Sequence, residues 1–369
     1  MPTRGRDGHI ARFRLAGLTW ATAVLLGAGA RAADNTAAPT RTCLALPAAG
    51  PVTLDGVLDE PSWATAVEVS GFTVSGRDDL APQQTVLRLL YDATHLYVAV
   101  VCQEPSMGTL RAAVTQRDGP FWEDDAVELF LDPAHVHDDY VQCAVSAGGA
   151  CYDNHNGDSL WTSGWKAVVR RQADAWICEG ALPFADLKVA PPTPGALWGF
   201  NLCRERQAGG KLELHNWADV QRVFNRASRF GHLAFVGSEW SPSAERIAEI
   251  ARLADGEQAL VFVNTGYWTA DRAAAPRQES YAAAIATAVG TLPAKLTELV
   301  ALTRDEAPAQ QQRLAQLQRD CAALQQLGDS PAVLAPAWAQ ALGAVQGLRA
   351  DVETLYWQVK LAALNRSMP

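Results

Sequence analysis

Between Pro51 and Val236 apolar residues recur in runs of five to ten, rich in Val, Leu, Trp, Phe and Tyr and separated by turn residues. That rhythm predicts β-strands rather than helices. The strands expected are 85–92, 95–104, 126–132, 140–147, 165–171, 175–183, 197–204 and 230–236. Breakers lie between them: Gly148-Gly149, Asn154 to Gly157, the proline run 191–195 and Gly209-Gly210. Many short strands joined by long loops predict a mostly β domain, a two-sheet antiparallel sandwich over residues 45–237.

After Gly237 the spacing changes to three and four. A connector, 238–275, holds one short helix (245–253) and a stray strand (258–264). Three longer helices follow within 276–369. Their seams are Ala284 to Leu302, then Leu314-Leu317-Cys321-Leu324-Leu327, then Trp338-Leu342-Val345-Leu348-Val352-Leu355-Val359. Joined by Asp305–Pro308 and Gly328–Pro331, they are expected to fold back as an all-α C-terminal helical bundle. The Gln-rich face of the second helix reads as solvated.

The start of the chain reads differently. Arg4, Arg6, Arg12 and Arg14 precede an apolar stretch from Leu15 to Gly27, and Ala30-Arg31-Ala32 has a small-x-small cleavage pattern. Residues 1–32 are therefore expected to be a signal peptide, followed by a flexible lead-in at 33–44, and the mature protein to be periplasmic or extracellular. Beyond this leader no segment has about 18 uninterrupted apolar residues, so no membrane span is expected in the mature chain. The formal charge is -9, and without the leader, which holds five Arg and one Asp, it is -13. Such a balance argues against nucleic acid as a partner. Seven cysteines remain: Cys43, Cys102, Cys143, Cys151, Cys178, Cys203 and Cys321. The first six could pair as disulfides in an oxidising compartment or simply be small buried residues; no CxxC suggests zinc.

The densest candidate chemistry lies in Gly119–Pro133, GPFWEDDAVELFLDP. On a strand Val127, Leu129 and Leu131 would face the core, leaving Glu128 on the other side, with Trp122 just before it. A ring beside a carboxylate suits a sugar, whose C–H face the ring covers and whose hydroxyls the carboxylate binds. Near Trp198–Glu205, Asn201 lies opposite the apolar positions, Arg204 ends the strand, and Trp217 follows in a polar loop. Enzymatic signatures are weaker. No GxSxG or P-loop occurs, and His135-Val-His137 with Asp138-Asp139 reads as a solvated loop.

Several stretches together resemble family 9 carbohydrate-binding modules and their DOMON-like β-sandwich relatives. They are LDGVLDEPSW (54–63), LYD with HLYVAV (90–100), WEDDAVELFLD (122–132), WGFNLCR (198–204) and FGHLAF (230–235). The resemblance implies a sandwich binding a sugar between two Trp rings. It places Trp122 and Glu128 as first ring and carboxylate, Trp217 as second ring, and Asn201 and Arg204 as hydrogen-bonding residues. It also implies structural calcium, for which Asp124, Asp132, Asp153 and Asp158 are available without a matching loop. The expected function is an exported, non-catalytic carbohydrate-binding protein associated with polysaccharide breakdown, with an oligo- or polysaccharide as ligand. Its helices would serve positioning, self-association or a protein partner. One alternative is a haem-binding redox module using Met107 with His95, His155, His215 or His232. The other is an envelope scaffold acting through the helical tail.

Overall fold

A computed structural model describes residues 39–254, 256, 258–271, 274–304 and 306–367. The leader and residues 33–38 of the lead-in lie outside the described residues. Fifteen strands and six α-helices follow in the order β1 (Thr40–Pro47), α1 (Pro61–Thr65), β2 (Thr73–Val74), β3 (Thr85–Tyr91), β4 (His95–Gln103), β5 (Ala126–Asp132), β6 (Val141–Ser146), β7 (Cys151–His155), β8 (Lys166–Arg171), β9 (Ala175–Pro183), β10 (Leu197–Arg206), β11 (Glu213–Asn216) and β12 (Gly231–Phe235). Then come α2 (Ala244–Leu253), β13 (Gln258–Val263), β14 (Gly266–Asp271), β15 (Ala274–Ser280), α3 (Tyr281–Val289), α4 (Leu292–Leu302), α5 (Pro308–Gly328) and α6 (Ala335–Ser367).

All eight strands expected from the β-region pattern form. The sandwich reading needs correction, because the strands make one continuous, nearly closed mixed sheet, in the order β7-β6-β5-β10-β12-β1-β3-β4-β9-β8. β1 is the reason. Its residues Thr42 to Ala45 pair parallel with β12, and Leu46 and Pro47 pair parallel with β3, so one strand passes from one half of the sheet to the other. Part of the expected lead-in, Thr40–Leu44, is thus strand, with Cys43 and Leu44 buried in the core. Side chains tie the β8 end of the path back to β6 and the turn that follows it. Trp165 Nε1 donates to Ala144 O at 3.0 Å, and Arg171 Nε and Nη2 donate to Ala147 O at 3.2 and 3.0 Å.

The stretch after Gly237 is more β than its spacing predicts. β13, β14 and β15 form an antiparallel meander, and β13 pairs parallel with Thr40–Thr42 of β1. Ser280 then caps α3, its hydroxyl accepting from Ala283 N–H at 3.1 Å. The first expected helix is broken after Val289, where Gly290 and Thr291 intervene and Pro293, in the first turn of α4, lacks the N–H to continue the ladder. Together α3 and α4 are long and apolar enough, by length and composition alone, to cross a membrane. In the fold Ile285, Val289, Leu292 and Leu299 are buried. Trp338 of α6 anchors the helices, its ring 4.9 Å from Tyr281 and 6.1 Å from both Phe262 and Tyr267. The same ring lies against Gly71 (φ +83°), where a Cβ would sit 2.9 Å from it. All seven thiols are free, and all but Cys151 are buried, which favours the small-residue reading over disulfides.

Candidate functional site

Two neighbouring carboxylates shape the loop before β5. Asp124 is 2% exposed and accepts from Ala113 N–H (3.0 Å) and Val114 N–H (2.7 Å). Asp125 accepts from Arg111 N–H (2.9 Å), Gln207 N–H (3.0 Å) and Ala208 N–H (3.3 Å). Burial pushes the Asp125 carboxyl above its ordinary value, against the pull of these three donors. The clamps hold a single turn, Phe121–Glu123, in which Phe121 is buried and Trp122 is 52% exposed. Phe121 meets the edge of Trp122 at 5.3 Å and the ring of Tyr152 at 5.0 Å, and Gln207 Nε2 donates to Trp122 O.

Strand parity works as expected on β5. Val127, Leu129 and Leu131 enter the main core, and Glu128 lies on the opposite side. Register then brings further polar groups to that side. Glu128 is opposite Ala144 on β6 and Cys203 on β10, Glu205 is opposite Ala126, and Asn154 of β7 is opposite Gln142 of β6. Gln142 Nε2 donates to Glu128 Oε2. Asn154 Nδ2 donates to Gln142 Oε1 at 2.5 Å and contacts the Tyr152 hydroxyl at 3.3 Å. Burial, and then the charge of Glu205, push the Glu128 carboxyl far above its ordinary value. Burial pushes Glu205 up to about 7. A pair in this state can offer one proton and several acceptor oxygens at neutral pH.

Aromatic clusters flank this polar floor. Phe121 and Tyr152 pack with Ala126 and Ala144 on one side. On the other, Phe130, Tyr140 and Phe230 cluster with Phe224 packed against them, and Asn225 Nδ2 donates to the Tyr140 hydroxyl at 2.9 Å. Beside Trp122 runs a groove of about 650 Å³ lined by Arg111, Glu123, Arg171 and Gln207 among others. It adjoins a second concavity of about 590 Å³ that includes Ser106, Thr109, Arg111, Gln207, Gly209 and Gly210.

Of the residues singled out in the sequence, Trp122 and Glu128 stand in this region, linked through Phe121 and Tyr152. Asn201 is on the same side of the sheet, opposite Phe130, but is covered by the segment at Ala218, and Trp217 and Arg204 are turned into the core. Trp217 is fully buried, not a second exposed ring, with its ring 5.6 Å from Phe200 and 5.9 Å from Phe262. The polar residues before it belong to β11, which pairs with β10 and turns the indole inward. Asn201 is also fully buried; its amide oxygen accepts from Ala218 N–H at 2.8 Å and its Nδ2 donates to Ala218 O at 3.3 Å. Arg204 points into the core, donating to Glu104 (3.1 Å) and Gln103 O (3.0 Å), with Arg206 completing the cluster on Glu104 at 2.7 Å. Glu205, Gln142, Tyr152 and Asn154 escaped the sequence reading. Gln142 carries a signal, since it interrupts the apolar run 140–147 at an outward position; Asn154 begins a stretch that reads as a turn, and Tyr152 lies in the short interval before it.

The four aspartates considered for calcium do not assemble. Asp124 is committed to its loop, Asp132 accepts from Val136 and His137 N–H, Asp153 serves Arg117 and Ser163, and Asp158 accepts from Leu160 N–H. Among the described residues no group of three or more His, Cys, Asp or Glu side chains could hold a metal ion. The residues weighed for haem sit on separate elements. His215 is buried beside Arg204 and Arg206; burial first, then their charges, lower it to about 3.

A curled β-sheet bearing a polar floor between aromatic clusters, with an indole exposed at its rim, defines a ligand-binding β domain. The model of the carbohydrate family 9 binding domain-like family matches residues 54–238, just over half of the 369, and the chain belongs to that family. A family 9 carbohydrate-binding module from Caldicellulosiruptor kristjanssonii in complex with cellotriose is similar at 17% identity and TM-score 0.42, over 55% of this chain and 98% of that one. The glucose complex of a family 9 module from the same organism is similar at 16% identity and TM-score 0.42, over 54% and 99%. Among curated proteins no sequence matches.

Proposed function

We propose that the chain is an exported, non-catalytic carbohydrate-binding protein whose sugar lies over the face carrying Glu128, Glu205, Gln142 and Asn154. The observation that carries this reading is that hydrogen-bonded polar floor, enclosed by aromatic clusters within the family-matched region. A pyranose has the same two-sided character: C–H faces for rings, hydroxyls for carboxyl and amide groups. The coupled carboxyls suit hydroxyls, which both donate and accept. Trp122 supplies the exposed stacking surface at the rim, and Tyr152 a second, partly exposed ring. The family membership supports a saccharide ligand, and the leader pattern supports export. On this reading the protein serves polysaccharide breakdown by holding a glycan rather than cutting it, and the helices position the domain or join it to a partner.

Calorimetry of the full chain against a panel of plant and microbial oligosaccharides, with and without calcium, tests the proposal. Saturable binding that Gln142→Ala and Trp122→Ala each weaken is the expected result. No binding to any glycan would overturn it.

A further inference from the structure

The groove beside Trp122 has an unusual cation. Arg111 is exposed, and its guanidinium makes no hydrogen bond or ion pair among the described residues. Its backbone is nevertheless fixed on both sides, the N–H donating to Asp125 Oδ2 at 2.9 Å and the carbonyl accepting from Asp125 N–H at 3.0 Å. The side chain is therefore a free fork on a rigid base. With Gln207 it lines both concavities, and among the described residues it is the only charged one lining the second, with Ser106, Thr109, Gly209 and Gly210. Gly209 N–H donates to Thr109 Oγ1 at 2.9 Å, tying the two walls of that concavity together.

A second cation borders the first concavity. Arg171 is held by Ala147 O and contacts Ala112 O at 3.4 Å, so its charge stays at the mouth. The acids there are unequal opponents. Both Asp124 oxygens are occupied by backbone N–H groups, whereas the exposed Glu123 disfavours an anion at its own end. The second concavity, with Arg111 alone, is where negative charge is best met. This stands out on a chain whose formal charge is -9.

We propose that this groove accepts a saccharide carrying an anionic substituent, its ring against Trp122 and its carboxylate or sulfate on Arg111; the inference rests on the sugar-binding reading above. A guanidinium binds a planar oxyanion through two parallel N–H donors, which a hydroxymethyl group cannot match. Because Arg111 is exposed, the gain is screened by salt.

The test is calorimetry on the full chain with three ligands of one backbone: cellotriose, the β-1,4-linked triglucuronate that differs from it in C6 oxidation, and 6-sulfated cellotriose. At low salt the glucuronate is expected to bind about tenfold more tightly than cellotriose, a ratio that falls toward one in 0.5 M salt and in Arg111→Gln. A preference for the sulfated ligand alone would assign the anion as sulfate; equal gains would mean that the site reads charge only. Equal affinity for cellotriose and both anionic ligands, or a preference that survives Arg111→Gln, would overturn the inference and leave sugar binding standing. Failure of all three to bind, with the rest of the glycan panel also silent, would overturn both.

Discussion

Glu128 of β5 and Glu205 of β10 are diagonal neighbours on one side of the sheet, so two carboxyl groups share a largely buried space, with no cation of the described residues paired to either. Like charges cannot both be desolvated cheaply, and the pair retains a proton where isolated carboxyls have lost theirs.

A dependence of stability on pH follows. In the unfolded chain Glu205 titrates near its ordinary 4.5; in the fold it does so at about 7. The folded state thus binds more protons between these values, and stability falls as pH rises from about 4.5 through 7, with the full loss present above. Glu205→Gln should flatten this slope and raise stability at pH 8 by about 1–3 kcal/mol. Urea unfolding at pH 5 and pH 8 checks it; an unchanged slope would show that Glu205 is ionised in the fold.

Trp122 and Trp217 should behave as opposites. Trp122→Ala removes an exposed ring and is expected to weaken sugar binding tenfold or more, about 1.4 kcal/mol, with little change in melting temperature. Trp217→Ala empties a fully buried site and should cost about 3–5 kcal/mol of stability. Paired melting and calorimetry separate the two effects.

Arg204 should likewise prove structural. Glu104→Gln would leave Arg204 and Arg206 facing a neutral amide in the core, at a cost of about 3–5 kcal/mol. The variant that remains folded should bind glycan as the parent does. A loss of affinity at full stability would return Arg204 to the binding site.

Ending the chain at residue 238 keeps the family-matched region but removes β13, which pairs with Thr40–Thr42, and Phe262, which packs on Trp217. The shortened protein is expected to lose soluble yield or to melt well below the full chain, as a bared strand edge predicts. A shortened protein with the parent's melting temperature would show the helical part to be independent.

Period-two patterning made the strands legible, and with them the side on which Glu128 lies, because alternation survives whatever the neighbours are. The rest of the site depends on register, which carries no local mark: nothing in Cys151–His155 announces that Asn154 will stand opposite Gln142. Trp217 misled for the same reason. Its polar flanks look like a surface loop, and only the pairing of β11 with β10 turns the ring inward. β1 was missed because Thr-Arg-Thr opens it, and a strand held by parallel neighbours on both sides draws its identity from residues far away. Of the β13–β15 meander only β13 is legible, as the stray strand of the connector; the last strand, AAPRQES, is polar from Arg277 onward and shows no period of two.

The placement of β1 has a consequence for how the chain acquires its shape. Thr42 meets its partner His232 only after about 190 further residues, and Thr40 waits still longer for Ala259. Closing such loops costs entropy before any contact rewards it, so the central strand is among the last to be zipped in. A nascent chain emerging from its N-terminal end therefore cannot complete this domain piece by piece. One edge of β1, at Thr40–Thr42, waits for β13, which lies beyond the family-matched region.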